Sequence, residues 1–267
     1  ITGTVAEANI VYAAGASEIT GLGNETVVLT ETGLNDGSAE GTVATLNTLD
    51  NNTTGTINAG SITSMTGLLA DFLTAYGSNG ITGLDNENIV LTDTSVSVTD
   101  LNTLDLLTSG TINANSITDI TGSVAALNTA YSSQGIINLG TNISVTDTIT
   151  STTEINLLDN LSSGIIDASS VTTLTGNTAS ANTMYDSAVT TGDGSTDGIS
   201  NLGNEVVILS DSIVDSSTLT SIAVASTGNI HVSEVTRIQG TTDSINALYD
   251  TYTHLQGLGN ELSLIHI

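Results

Sequence analysis

Short apolar runs and polar stretches alternate along the whole chain. The runs Val27–Leu29, Ile89–Leu91, Ile143–Val145 and Val206–Leu209 predict short strands, as do the β-branched segments Asn88–Leu91 and Asn115–Ile120. Between them apolar residues recur at helical spacing, as in Leu101, Leu104 and Leu107, or Val124, Leu127 and Tyr131. Ser97-Val98-Thr99-Asp100 and Ser151-Thr152-Thr153-Glu154 have the form of capping boxes, in which a hydroxyl accepts from a free N–H of the first turn and a carboxylate reaches back. Gly110 and Gly164 stand where such helices stop. Helices of about two or three turns do not hold alone in water, so these must pack on strands and on one another.

The pattern is periodic. A Thr-Gly step closes a β-like run at Ile1–Gly3, Met65–Gly67, Ile120–Gly122 and Leu174–Gly176, and in altered form at Ile238–Gly240. Nine residues after each glycine stands a tyrosine (Tyr12, Tyr76, Tyr131, Tyr185 and Tyr249), which places five of the six tyrosines in one register. A Gly-Leu-Gly-Asn-Glu turn follows at Gly21–Glu25, Gly83–Glu87, Asn201–Glu205 and Gly257–Glu261, with a weaker copy at Asn138–Asn142. The marker glycines lie 64, 55, 54 and 64 residues apart. The repeats are therefore 1–64 with an insertion near 33–41, 65–119, 120–173, 174–237 with an insertion near 190–198, and a partial copy at 238–261.

Each repeat is itself doubled, since Asp93-Thr94 takes the place that Thr66-Gly67 holds 27 residues earlier. A strand and a short helix in each half-unit of about 27 residues imply parallel strands joined by right-handed crossovers. Stacked linearly, these give an α/β repeat solenoid. An all-β parallel β-helix is the alternative, because Ser, Thr and Asn compete poorly in helix interiors. The tyrosine then reads as a packing residue at the end of a helix, and a stacking platform for carbohydrate is its sharper role.

Composition narrows the functions. One basic residue, Arg237, stands against 28 acidic ones, for a formal net charge of −27. Nothing here can neutralise phosphates or form a polybasic patch, which excludes nucleic acid and anionic-membrane binding. No stretch approaches the ~20 apolar residues of a membrane span. Cysteine is absent, which removes thiolate metal sites and thiol nucleophiles. So much acid self-repels unless cations or salt screen it.

Chemistry-bearing candidates are few. Gly192–Gly198 alternates small and acidic residues, and its Asp193 and Asp197 are the candidate ligands for calcium, which takes oxygen donors. A solvated turn explains the same residues. The Asn-Glu pairs (Asn24/Glu25, Asn86/Glu87, Asn204/Glu205, Asn260/Glu261) would line one edge of a stack as carboxylates able to share cations, although Thr141-Asn142 interrupts the row. His231 falls where other copies have Asn113 and Asp167, and His254 lies beyond the last helix in loop-like sequence. Neither has a zinc-ligand spacing or a nucleophile elbow beside it. The expectation is that the chain is not an enzyme and carries no certain cofactor.

The segments Gly80–Glu87, Ile89–Thr94, Leu101–Asp105, Thr108–Ala114 and Ser116–Gly122 together resemble the repeats of giant cell-surface proteins of marine unicellular cyanobacteria, one of which is linked to swimming without flagella. The resemblance covers residues 1–261. It implies secretion, an extracellular place on the cell envelope, a spacer or display role, and neighbours that are envelope components, glycans or other cells. It transfers no catalytic residue. Leu262–Ile267 resembles a translated sequencing adapter and carries no functional weight, so the chain is expected to be a piece of a longer array. A structural spacer stands first among the functions, a calcium-dependent adhesin second, and a polysaccharide-active enzyme or phage fibre segment third.

Overall fold

The computed structural model describes residues 1–15, 19–34, 42–140, 142–189 and 195–259, and the backbone of 262–265. Among these are nine helices: α1 (Val5–Gly15), α2 (Val43–Asn52), α3 (Leu69–Gly77), α4 (Val98–Asp105), α5 (Val124–Ser132), α6 (Thr152–Leu161), α7 (Thr178–Asp186), α8 (Ser216–Ala225) and α9 (Thr242–Thr251). Short strands separate them, and the fold is α/β; the helices rule out the all-β alternative. The chain forms two compact units, Ile1–Ile120 with Ser132–Gly140, and Thr121–Tyr131 with Thr141–Ile267.

In the first unit, Thr2–Gly3, Val27–Leu29, Ile57–Asn58 and Ile81–Thr82 form one parallel sheet. Gly33–Leu34, Ser64–Gly67, Asn88–Leu91, Ile112–Asn113 and Ile136–Ile137 form another. The second unit repeats the scheme, with Ile149–Ser151, Thr173–Gly176, Val206–Leu209, Ile230–His231 and Leu255–Gln256 as its five-stranded sheet. The backbone of Leu262–Ile265 pairs in register with Arg237–Gly240.

We call one helix with the strands leading into it a rung. Each helix turns every third residue inward. Val98, Leu101 and Leu104 of α4 are fully buried, as are Val43, Leu46 and Leu49 of α2, and they share the core with strand residues such as Met65, Ile89 and Ile112. The core is therefore a thin layer, one helix stripe against one strand stripe, renewed in every rung. Threonines within the helices return their hydroxyls to the carbonyl four residues back, Thr103 to Thr99 at 2.8 Å and Thr129 to Ala125 at 3.0 Å. That bond satisfies a residue type that otherwise competes with the helix.

Four sequence expectations are corrected. Leu107 is 39 % exposed and lies beyond α4, which ends at Asp105; Val98 completes the buried stripe instead. The strand expected over Asn115–Ile120 begins only at Asp119, because Asn113 Oδ1 accepts the Asn115 N–H and the chain turns there. Ser151 caps α6, accepting from the N–H groups of Thr153 and Glu154, but Ser97 makes no side-chain cap to α4. Finally, strand pairing does not follow the 27-residue half-unit: Gly67 faces Leu91, and Ser64 to Asn88 is a step of 24. Helix starts are spaced wider, 26 residues from Val43 to Leu69 and 29 from Leu69 to Val98. The longer rung absorbs the excess in an extra strand, Ser95–Ser97, placed directly before its helix.

The insertions sit differently. Residues 35–41 and 190–194 lie outside the described residues. On either side of 190–194, Ala188–Val189 and Gly198–Ser200 pair with each other in parallel.

Phe72 is the largest fully buried side chain among those described. Phe72→Ala is expected to destabilise by about 3–5 kcal/mol, read as a lowered urea midpoint by circular dichroism.

Candidate functional site

The repeated polar residues converge on the joints between rungs. Four ties recur there, each made by a residue type that the repeat keeps at one position.

The first tie caps helices from outside. The N–H of Leu69, first residue of α3, donates to Asp93 Oδ2 at 2.8 Å, that of Val124 to Asp147 Oδ2 at 2.7 Å, and that of Thr178 to Asp211 Oδ2 at 2.7 Å. In α1, Val5 N–H donates to Glu31 Oε1 at 2.7 Å. Each carboxylate belongs to the following rung, and it meets the positive end of a helix dipole. The second tie is an asparagine at the fifth residue of a helix. Asn9, Asn47, Asn128 and Asn156 donate from Nδ2 to the carbonyls of Thr45, Asp71, Glu154 and Ser180, the third residue of the next helix in each case.

The third tie gathers the repeat's most distinctive residues. In the turn Gly83–Glu87 the glutamate folds inward. Glu87 is fully buried, and its carboxyl accepts from Tyr76 Oη at 2.6 Å and from the N–H groups of Asn86 and Asp85 at 3.2 and 3.4 Å. Tyr12 donates to Glu25 at 3.2 Å and Tyr185 to Glu205 at 3.4 Å, and the N–H of Gly23 or Gly203 completes each site. The backbone of the glutamate is used as well. Glu87 O accepts the Thr108 hydroxyl at 3.0 Å, and a Cβ on Gly110 would collide with that carbonyl, so only glycine fits. The turn opens on a left-handed residue, glycine at Gly83 (φ 86°) and asparagine at Asn138 (59°) and Asn201 (62°), the side chain that best tolerates that region.

The fourth tie joins the other class of rung. The carboxylates of Asp50 and Asp105, at the ends of α2 and α4, accept the hydroxyls of Ser78 and Ser133 at 2.6 and 2.8 Å. The tyrosine–glutamate joint and the aspartate–serine joint alternate, which is why the sequence repeats every 55 residues instead of every rung.

These geometries settle the candidates differently. Glu87 and Glu205 do not line an outer edge, and Glu261 lies outside the described residues. Glu87 and Glu205 are buried and hydrogen-bonded, and the strands that follow Glu25 and Glu87, Val27–Leu29 and Asn88–Leu91, belong to different sheets. The Gly23 N–H, foremost among its hydrogen bonds, holds the Glu25 carboxyl below its ordinary value. The tyrosines are packing residues that also make a polar contact: Tyr12, Tyr76, Tyr131 and Tyr185 are buried or half-buried, and Tyr249 is 44 % exposed.

Of the calcium candidates, Asp193 lies outside the described residues. Asp197 accepts the Gly198 N–H at 3.0 Å, and its charge adds to the burial that pushes the Asp159 carboxyl up, against the Ser187 hydroxyl that pulls it down. Asp159 Oδ1 is buried without a hydrogen-bond partner. Among the described residues no group of three or more His, Asp or Glu is placed to hold a metal ion. His231 sits in a strand between Ile208 and Gln256, and His254 Nε2 lies 3.1 Å from the Ala223 carbonyl with Tyr252 edge-on to its ring. The two histidines face no common acid or nucleophile in any of these contacts. No described helix is long and apolar enough to cross a membrane. No protein-family model, curated protein or solved structure matches the chain.

Sequence reasoning found the tyrosine, the turn and the segment Leu101–Asp105 but missed the asparagine ties. Their signal was present: each of these asparagines directly follows an apolar residue of the buried helix stripe, Ala8, Leu46, Leu127 or Ile155.

Tyr76→Phe leaves the buried Glu87 short of its closest donor, a loss of about 1–3 kcal/mol. A double-mutant cycle with Glu87→Gln should show strong coupling, measured by urea unfolding. Burial, reinforced by Glu87, raises the Tyr76 pKa above the ordinary tyrosine value, and burial with Glu205 does so at Tyr185. The folded state therefore holds these protons more tightly than the unfolded one. Stability should be intact below about pH 10 and fall as pH rises beyond it. Absorbance of tyrosinate and circular dichroism should change together in an alkaline titration.

Proposed function

We propose that this chain is a non-catalytic spacer segment of a large secreted or cell-surface protein, an α/β solenoid that provides length and display. The observation that carries the proposal is where the repeated polar residues go. Aspartate, asparagine, tyrosine–glutamate and aspartate–serine pairs all close joints between neighbouring rungs. A binding or catalytic protein keeps some polar residues convergent on a cleft instead.

A rung that contacts chiefly its neighbours gives an array whose length scales with copy number. The high negative charge suits a salty extracellular medium, where cations screen it. It also keeps such an array from associating with itself. The resemblance of the repeats to the giant surface proteins of marine unicellular cyanobacteria supports a position on a cell envelope, in a setting that includes flagellum-free swimming. Calcium-dependent adhesion is the competing role, and it would need a cation site closed in part by Asp197.

Chains of two, three and four repeats compared by small-angle X-ray scattering are expected to lengthen by a constant increment per repeat. Millimolar calcium is expected to leave both length and thermal midpoint unchanged beyond the effect of matched sodium ionic strength. A specific calcium-induced rise in the midpoint, abolished by Asp197→Asn, would favour the adhesin over the spacer.

A further inference from the structure

The turn between α3 and the strand Ile81–Thr82 contains Asn79-Gly80, the single Asn-Gly step in the sequence. Asn79 is exposed. In such a step the following residue has no side chain to shield its backbone nitrogen, which can attack the asparagine amide. Here that nitrogen is held. The Gly80 N–H donates to Ser78 Oγ at 2.9 Å, and the Ser78 hydroxyl donates in turn to Asp50 Oδ2 at 2.6 Å. The Gly80 carbonyl accepts the Ile57 N–H at 2.8 Å, and Ile81 pairs with Ile57 in the sheet. Space is closed too, since a Cβ on Gly80 would collide with Asp50 Oδ1.

We propose that Asn79-Gly80 is a self-modification site that the folded rung holds shut. On opening, the Gly80 nitrogen bonds to Asn79 Cγ and its proton passes to solvent base. The Cγ–Nδ2 bond breaks and ammonia leaves, giving a five-membered succinimide. Water opens that ring at either carbonyl to aspartate or isoaspartate. One water is consumed, one ammonia is released, and nothing is oxidised or reduced. The product adds a carboxylate between Ser78 and Gly80, the two residues that meet Asp50, and the iso form lengthens the backbone there by one methylene. Both oppose re-formation of the serine–aspartate joint, so a rung that has once opened stays marked.

The neighbouring repeat supplies an internal control. Ser133-Gln134-Gly135 has the same joint, with Gly135 N–H on Ser133 Oγ at 3.0 Å and Ser133 on Asp105 at 2.8 Å. Its glutamine would have to close a six-membered ring, which is slow.

The test incubates the full chain at mildly alkaline pH, native and in urea sufficient to unfold it by circular dichroism, then maps peptides by mass and assays isoaspartate enzymatically. Asn79 is expected to convert at least about tenfold more slowly in the native chain, the protection that a modest local opening free energy confers. Ser78→Ala, which frees the Gly80 N–H, should convert faster than the native parent. Gln134 should stay intact throughout. A native rate within about twofold of the urea rate overturns the proposal, as does absence of conversion at Asn79 in urea. If Ser78→Ala fails to fold, the native-to-urea ratio of the parent chain alone decides.

Discussion

The fold depends on lateral hydrogen bonds made by side chains from one rung to the next. The apolar layer is too thin to define the structure by itself: three helix positions and a few strand residues per rung, mostly short aliphatics. What fixes one rung on another is a set of polar side chains whose partners lie 23 to 36 residues away, with the tyrosine–glutamate contacts at 11 to 20. Threonine hydroxyls add to the same set, Thr118 on the Thr94 carbonyl and Thr172 on the Thr148 carbonyl. A residue that is a poor helix or core former alone thus becomes favourable when its neighbour in the stack presents an acceptor. This accounts for a folded chain so rich in Ser, Thr, Asn and Gly and so poor in aromatics.

Two unlike joints alternate, and their chemistry explains the period. At Glu87 and Glu205 the tyrosine–glutamate joint buries a carboxyl, where backbone N–H groups of a turn and a phenol receive it. Aspartate–serine joints keep the acid nearer solvent and pass its hydrogen bond through a hydroxyl to a glycine N–H. Replacing one class by the other would put a carboxyl where no donor waits. The third repeat shows how far the rule bends: Thr141 stands before Asn142 where other copies have glutamate, and the Ser162 hydroxyl, equivalent to Thr108, is buried without a partner.

Much of this could be read before the structure was known, and the limits are physical. Tyrosines at one register and the Gly-Leu-Gly-Asn-Glu turn are strong signals because both need a unique backbone geometry. Helix existence followed from apolar spacing at Leu101 and Leu104, although the end of α4 did not, since Leu106 and Leu107 extend the apolar run into solvent. The direction of Glu87 was not readable: a glutamate in a turn looks solvated until its tyrosine partner, eleven residues earlier, is seen to reach it. The 24-residue pairing step was hidden because helix spacing, not strand pairing, dominates the repeat that sequence displays. The outer row expected of the glutamates failed for a related reason: Glu87 and Glu205 turn inward and accept from a tyrosine and from their own turns.

The central claim, that unlike rungs alternate and only whole pairs are interchangeable, is tested most directly by two deletions. Removing 65–119 excises one complete repeat and rejoins equivalent positions; removing 65–91 excises one half and brings like rungs together. The account predicts that the first chain melts cooperatively near the parent temperature, while the second loses cooperativity or folds only at much lower temperature. Equal stability of the two, or failure of the whole-repeat deletion to fold, would contradict it.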